Sequence, residues 1–414
     1  MIVYPGKYEG IVAIPASKSD SQRAILAAGL AAGHSELYNV GQSADELSML
    51  NNIERLGAKI TRPEGAVHVT GIQEFPTKLA LNVGESGLGV RLLSSLLLTQ
   101  KGKFEIVGEG TLMSRPLSFF KENFEGKVPK IEDHLGFLPL EIEGPFLGGE
   151  LTVSGKQSSQ YISGLLMALP LAEKDSVLQV EKLNSKPYVQ MTLETLRAFG
   201  IEILHTDLKE FIIRGKQKYL STSYKIESDW SSASYWLVAS ALGHKISVEG
   251  LSQSSFQADR AILKAFTAAN CTVEKRENRL FVRGTERKAF AFDATDCPDL
   301  FPTLAAFAAL TLGRSTLFGL SRLVDKESNR ALTIQTEFEK LGIKIILDET
   351  HNAMHIEGKT SIHGGRVFSN HDHRIAMSLA ILGLSADNPV QIDFPEAVKK
   401  SYPGFWEDLE RLKS

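Results

Sequence analysis

Basic side chains, hydroxyls and carboxylates share several short stretches of this chain, in combinations suited to holding and protonating a small anion. Lys18, Ser19 and Arg23 stand where an apolar segment begins, and Ser158, Ser159 and Gln160 open another. Hydroxyls beside the free N–H groups of a helix start suit a phosphate, although serine capping is the commoner use of that position. Ser185, Lys186, Pro187 and Tyr188 stand before a further helical stretch, and Arg115 precedes Pro116. Asp299 follows Pro298, and Lys326, Glu327, Ser328, Asn329 and Arg330 precede an apolar-periodic run. Acids in a first turn are ordinary, but here Glu327 can be brought to one side of a helix start with Lys326 and Arg330. His371, Asp372, His373 and Arg374 form a dense cluster, and Lys399 and Lys400 form a basic pair near the C-terminal end. The His-Asp-His run matches no strong zinc spacing, so no metal site is expected. No G-x-x-x-x-G-K-[ST] loop, strand-led G-x-G-x-x-G, G-x-S-x-G elbow or H-E-x-x-H pair is present. The chemistry indicated is cationic recognition of a polyanionic small substrate without a bound nucleotide.

The elements that must position these groups repeat. Six segments open with polar or small residues and run into Ala/Leu-rich stretches: Ser17–Lys18–Ser19, Glu85–Ser86–Gly87, Ser158–Ser159–Gln160, Ser231–Ser232–Ala233–Ser234, Pro298–Asp299 and Asp372–His373–Arg374. They recur about every 70 residues, as a repeat architecture does. Each is predicted to be a buried helix, followed by a strand, a polar loop, a second helix and another strand. Three second helices are expected to end alike, at Leu56–Gly57, Phe199–Gly200 and Leu341–Gly342, each with glycine in the left-handed position past the helix. The sixth copy stops after its second helix, near Leu412. Six such units predict an α/β architecture of two domains with three units each.

The 414 residues exceed one ordinary core, which also favours two or three domains. A net charge of -3 supplies no bulk basic field for nucleic acid or an anionic membrane, so any anion site must be built locally. Two cysteines, Cys271 and Cys297, suggest no disulfide framework and a reducing compartment. No secretory signal is visible, and the apolar run Leu304 to Leu312 is far shorter than the roughly 20 residues that span a bilayer. The expectation is a cytoplasmic protein.

Taken together, these stretches resemble the EPSP (5-enolpyruvylshikimate-3-phosphate) synthase family from about Tyr8 to Leu412. Pro15–Ala16–Ser17–Lys18–Ser19 with Arg23 is similar to P-G-S-K-S…R. Gly155 to Tyr161 resembles G-x-x-S-S-Q-[FY], and Ser185 to Tyr188 resembles S-K-P-Y. Asp229 to Tyr235 resembles D-x-S-S-A-S-Y, Pro298–Asp299 resembles I-P-D, and Lys326 to Arg330 resembles K-E-[ST]-D-R. Asp372 to Met377 resembles D-H-R-[MI]-A-M. The resemblance implies the two-domain enolpyruvyl transferase fold: six βαβαββ repeats, three per domain, with the active site in the interdomain cleft. It places one domain at 15–227 and the other at 1–14 with 228–414; because the site residues it names lie in both halves of the chain, closure on ligand binding is expected. The implied reaction transfers the enolpyruvyl group of phosphoenolpyruvate to the 5-hydroxyl of shikimate 3-phosphate, in the shikimate pathway to aromatic amino acids, without metal or cofactor.

By the same resemblance, Lys18, Ser19, Arg23, Ser158, Ser159, Gln160, Ser185 and Tyr188 meet shikimate 3-phosphate. Gly87, Arg115, Arg330, Arg374 and Lys400 meet phosphoenolpyruvate, and Lys326 and His373 join the substrate-binding set. Asp299 takes the proton of the attacking hydroxyl, and Glu327 handles the proton at the methylene, helped by Lys18 and Lys400. The chain departs from the family pattern at Glu85 and Leu88, within a stretch that usually reads N-x-G-T-x-x-R. Ala16, Arg322 and Asn329 also differ. The alternatives are the sister transferase acting on UDP-N-acetylglucosamine, which usually opens with K-N and carries an N-terminal-domain cysteine, and a non-catalytic anion-binding paralogue. A monomer is expected.

Overall fold

The computed structural model describes residues 1–413, and each polar opening leads into a buried helix. Among the described residues the first helices of the six units are α1 (Lys18–Leu30), α3 (Gly87–Leu98), α5 (Ser159–Ala168), α7 (Trp230–Ala241), α9 (Phe301–Ala309) and α11 (His373–Leu384). They alternate with the second helices α2 (Ala44–Arg55), α4 (Phe119–Phe124), α6 (Lys186–Ala198), α8 (Ile262–Ala268), α10 (Arg330–Lys340) and α12 (Phe405–Leu412). Every residue of α3, α7, α9 and α11 is buried. A helix can be apolar all round and buried because its backbone groups bond internally, and each fully buried leucine contributes about 1.5–3 kcal/mol.

The starts of these helices are closed by the polar openings. Ser17 Oγ accepts from the Asp20 N–H at 3.4 Å, Ser86 Oγ from Gly89 at 3.0 Å and Ser158 Oγ from Gln160 at 3.2 Å. Asp229 and Asp372 cap α7 and α11 in the same way, each at 2.9 Å. Three second-helix ends carry glycine at positive φ: Gly57 at 113°, Gly200 at 77° and Gly342 at 79°. A side chain at these left-handed positions would be strained, which is why glycine recurs there.

The chain divides into a central unit, Ala16–Ile226, and a flanking unit, Met1–Pro15 with Glu227–Ser414. Among the described residues six small sheets underlie the helices, five of four strands and one of three. Within the central unit, Lys78–Asn82 and Gly102–Val107 pair in parallel across α3, and Phe137–Gly144 and Lys130–His134 extend the sheet as a hairpin. The parallel step needs the intervening helix, whereas the antiparallel steps close by turns. Gly149–Ser154, Ser176–Glu181, Glu210–Ile213 and Ile203–Thr206 repeat the arrangement around α5. The first unit begins with α1 and lacks its own leading strand; Ser223–Lys225 supplies it, parallel to His34–Tyr38.

The flanking unit closes in the same manner. Glu9–Ala13 pairs in parallel with Lys245–Glu249 and leads the sheet under α7, while Ala291–Asp293 leads the sheet under α9. In the sixth copy Gly365–Phe368 and Val390–Asp393 pair in parallel across α11, and Ile2–Val3 adds to Val390–Asp393 antiparallel. The sixth copy is therefore a three-stranded sheet completed by the N-terminal residues. No helix among the described residues is long and apolar enough to cross a membrane.

Candidate active site

The flanking unit gathers the acid/base candidates around one guanidinium. Arg330, the first residue of α10, is 1% exposed and donates to three carboxylates. It reaches Asp299 Oδ1 at 2.8 Å, Glu327 Oε2 at 2.6 Å and Asp372 Oδ2 at 2.8 Å. Asp299 stands in the short turn Pro298–Leu300 that leads into α9 and also accepts from Arg374 at 2.9 Å through its other oxygen. Lys326 Nζ lies 3.7 Å from Asp299, and Lys400 Nζ lies 3.8 Å from Glu327. The helix starts of α9, α10 and α11 thus bring Asp299, Lys326, Glu327, Arg330 and Arg374 together, and the turn Pro395–Lys400 adds Lys400. Three carboxylates (Asp299, Glu327, Asp372) meet four cations (Lys326, Arg330, Arg374, Lys400), which leaves the cluster able to accept a further anion.

Burial and charge act against each other here. Burial alone would raise the Asp299 carboxyl, but Arg374, Lys326 and Arg330 outweigh it and hold the group well below the usual carboxylate range. Burial pulls the Lys326 ammonium down to about 8, against the opposing pull of Asp299. For Arg330 burial again favours loss of the proton, and Asp372, Glu327 and Asp299 reverse it. Behind this cluster Asp259, in the short turn Ala258–Ala261, is pushed up to about 7, first by burial and then by the charge of Asp299. Its Oδ2 accepts from the Ser231 hydroxyl at the start of α7.

The central unit presents a different chemistry at the corresponding helix starts. Lys18 is the first residue of α1 and pairs with Asp45, in the first turn of α2, at 2.9 Å. Ser158 and Ser159 open α5, and the Gln160 side chain accepts from Arg91 at 3.2 Å. Arg91 also donates to the Gly87 carbonyl at 2.7 Å and lies over the Tyr161 ring at 4.8 Å. Arg115 follows the turn Gly110–Ser114 and reaches back across the start of α3: a Cβ on Gly87 would stand 2.7 Å from its Nη1. Glycine leaves room for the guanidinium where it stands; a side chain there would make it shift. Ser185 takes the left-handed conformation at the N-cap of α6, φ 55°, and Tyr188 stands one turn on, half-buried.

Two further expected substrate contacts are as deeply buried as Arg330. Arg23 is 1% exposed and spends its nitrogens on Thr192, the Ser19 carbonyl, Ser163 and the Tyr188 carbonyl, tying α1 to α5 and α6. Burial lowers its guanidinium to about 10, partly offset by Asp20. His373 is likewise 1% exposed, beneath the start of α11, with Nδ1 3.8 Å from Asp372. Both turn inward because they lie on helix faces that pack against neighbouring helices. Asp45, Arg91, Asp259 and Asp372 were given no role from sequence. Arg91 falls within the Glu85–Arg91 stretch and Asp372 within the His-Asp-His run, whereas nothing local marks Asp45 or Asp259.

Helix starts that gather cations, hydroxyls and paired acids on an α/β frame suit proteins that bind anionic small molecules and move protons on them. The EPSP synthase (3-phosphoshikimate 1-carboxyvinyltransferase) family model matches residues 3–409. A 3-phosphoshikimate 1-carboxyvinyltransferase of Clostridium perfringens is 37% identical over 416 residues, covering 100% of this chain and 98% of its own. One from Clostridium kluyveri is 37% identical over 412 residues, covering 99% and 96%. The structure of an EPSP synthase from Acinetobacter baumannii superposes with a TM-score of 0.81 at 27% identity, covering 100% of this chain and 98% of that one. The chain belongs to the EPSP synthase family.

Proposed function

We propose that this chain transfers the enolpyruvyl group of phosphoenolpyruvate to the 5-hydroxyl of shikimate 3-phosphate, releasing phosphate. The observation that carries the reading is the Arg330 cluster, in which two candidate proton-transfer acids share one buried guanidinium. The substrate hydroxyl oxygen adds to C2 of phosphoenolpyruvate as its proton passes to Asp299, and C3 gains a proton from Glu327. In the second half Glu327 takes a proton back from C3 while the C2–O bond to phosphate breaks. Lys400 beside Glu327 supports both transfers, and the reading gives Lys18 a share in them.

Asp299 as it stands is a poor base, because Arg374, Lys326 and Arg330 hold it ionised. The carboxylate and phosphate of phosphoenolpyruvate compete for Arg330, Arg374 and Lys400, and the reading adds Arg115 and Gly87 to the groups that meet this substrate. Drawing those cations away raises the proton affinity of Asp299 when the substrate arrives. Lys326 completes the cationic lining. Shikimate 3-phosphate is assigned to Lys18, Ser19, Ser158, Ser159, Gln160, Ser185 and Tyr188, the serines meeting its phosphate. The same reading keeps Arg23 in the shikimate 3-phosphate set and His373 in the substrate-binding set. The 15–227 segment and the 1–14 plus 228–414 segments act as the two domains of the family, in a cytoplasmic monomer; the two buried free thiols, Cys271 and Cys297, suit a reducing compartment.

The test is phosphate release from the purified protein given both substrates, with each omitted in turn. Release that needs both supports the reading. No release with shikimate 3-phosphate still bound would instead indicate a silent anion-binding paralogue.

A further inference from the structure

Glu85 lies two residues before Gly87 in the central unit, in a stretch assigned to an anionic substrate, where a negative charge would work against binding. Its geometry gives it another task. Glu85 Oε2 accepts both from the Thr111 N–H at 2.9 Å and from the Thr111 hydroxyl at 2.8 Å. Thr111 belongs to the turn Gly110–Ser114, which ends directly at Arg115. The same strap is pinned once more by the Glu109 N–H on the Gly84 carbonyl at 2.8 Å. Gly110 has φ 53°, and a Cβ there would fall 2.4 Å from the Glu85 carboxyl carbon, so the strap approaches Glu85 as closely as a backbone can. One residue past Glu85, Ser86 caps α3, and Gly87 faces the Arg115 guanidinium.

We propose that Glu85 is a positioning residue for phosphoenolpyruvate, latching residues 109–115 so that the Arg115 guanidinium is held across the start of α3. The proposal rests on the reading that Arg115 meets phosphoenolpyruvate. The latch turns the acid to use: both hydrogen bonds fall on a charged acceptor, the stronger kind, and the charge is directed at Thr111. A short amide such as asparagine lacks the extra methylene that spans the gap to Thr111.

The test compares Glu85→Ala, Glu85→Gln, Thr111→Val and Arg115→Met by steady-state kinetics on both substrates, with thermal unfolding of each variant. Glu85→Ala is expected to raise the KM for phosphoenolpyruvate about tenfold or more, with kcat and the KM for shikimate 3-phosphate within about twofold. Glu85→Gln, whose amide oxygen can still accept from Thr111, recovers most of that loss, and Thr111→Val shows a smaller rise of the same kind. If Arg115→Met raises the KM for phosphoenolpyruvate while Glu85→Ala and Thr111→Val do not, the latch is wrong. A drop in kcat and both KM values alike, tracking the unfolding midpoint, would also overturn it. If Arg115→Met leaves the KM for phosphoenolpyruvate unchanged, the Arg115 assignment fails and the proposal fails with it.

Discussion

At the start of α5 in the central unit, the side chains offered are hydroxyls and an amide: Ser158, Ser159 and Gln160. At the starts of α9 and α11, first helices of the flanking unit, stand Asp299 and Arg374, and the second helix α10 brings Arg330 to them, all locked in ion pairs. The repeat is the same and the opening is the same, yet the groups differ in kind. Neutral donors at a helix start hold an anion without a protonation state to lose, while a carboxylate between arginines has an acidity that any incoming anion will change. On the proposed reading this is a division of labour: the α5 start holds an anion, whereas the flanking cluster both holds one and reacts, with Lys18 as the central unit's share in the proton transfers.

That division can be broken at several points. The largest effect is expected from Glu327→Gln, which keeps the shape and an acceptor for Arg330 but cannot exchange a proton. Turnover should fall about 10²–10⁴-fold with the unfolding midpoint little changed, as measured by phosphate release and calorimetry. A near-parent rate would remove Glu327 from the proton path. Next comes the double variant Ser158→Ala with Ser159→Ala. It should weaken shikimate 3-phosphate binding by about 10-fold to 100-fold, since hydrogen bonds to a charged group contribute about 1.5–3 kcal/mol. Part of any stability loss, about 1 kcal/mol, is the missing cap of α5. Unchanged affinity would mean that the central helix starts are caps alone.

The smallest effect concerns Asp259. Its carboxyl sits at about 7 when folded against an ordinary 3.8, so the folded protein holds a proton there that the unfolded chain has lost. Its contribution to stability is complete below 3.8 and is lost as pH rises through about 7. Asp259→Asn should therefore gain on the parent as pH rises across that window. His244 acts in the opposite sense: burial lowers it from 6.5 to about 4, so its contribution is lost as pH falls. The informative quantity is thus the variant-minus-parent difference in unfolding midpoint. A difference that is flat with pH would show that Asp259 is not protonated behind Asp299.

Much of the frame was legible in the sequence because its signals are local. The polar openings cap α1, α3, α5 and α11, while α7 is capped by Asp229 just before its serine opening, and Gly57, Gly200 and Gly342 are left-handed where the helices end. Sheet completion was not legible. Nothing near Ile2–Val3 announces pairing with Val390–Asp393, and nothing near Ser223–Lys225 announces His34–Tyr38, because such partners are chosen by the fold across long separations. The same distinction holds at the site. Residues at helix starts could be proposed, but how deeply each side chain is buried depends on its neighbours, so the near-complete burial of Arg23, Arg330 and His373 was not legible. Asp45 reads as an ordinary first-turn acid until Lys18 is placed against it. Asp259 lies in a short turn with no signature, and only burial behind Asp299 gives it interest.

The division of labour is tested most directly by calorimetric titration of shikimate 3-phosphate into Asp299→Asn, with turnover measured on the same preparation. Asparagine keeps an oxygen for Arg330 or Arg374 but cannot accept the hydroxyl proton. The account predicts a Kd within about threefold of the parent and turnover reduced about 10²-fold or more. Loss of binding with residual turnover in proportion to occupancy would contradict it, by making Asp299 a holding group and not a reacting one.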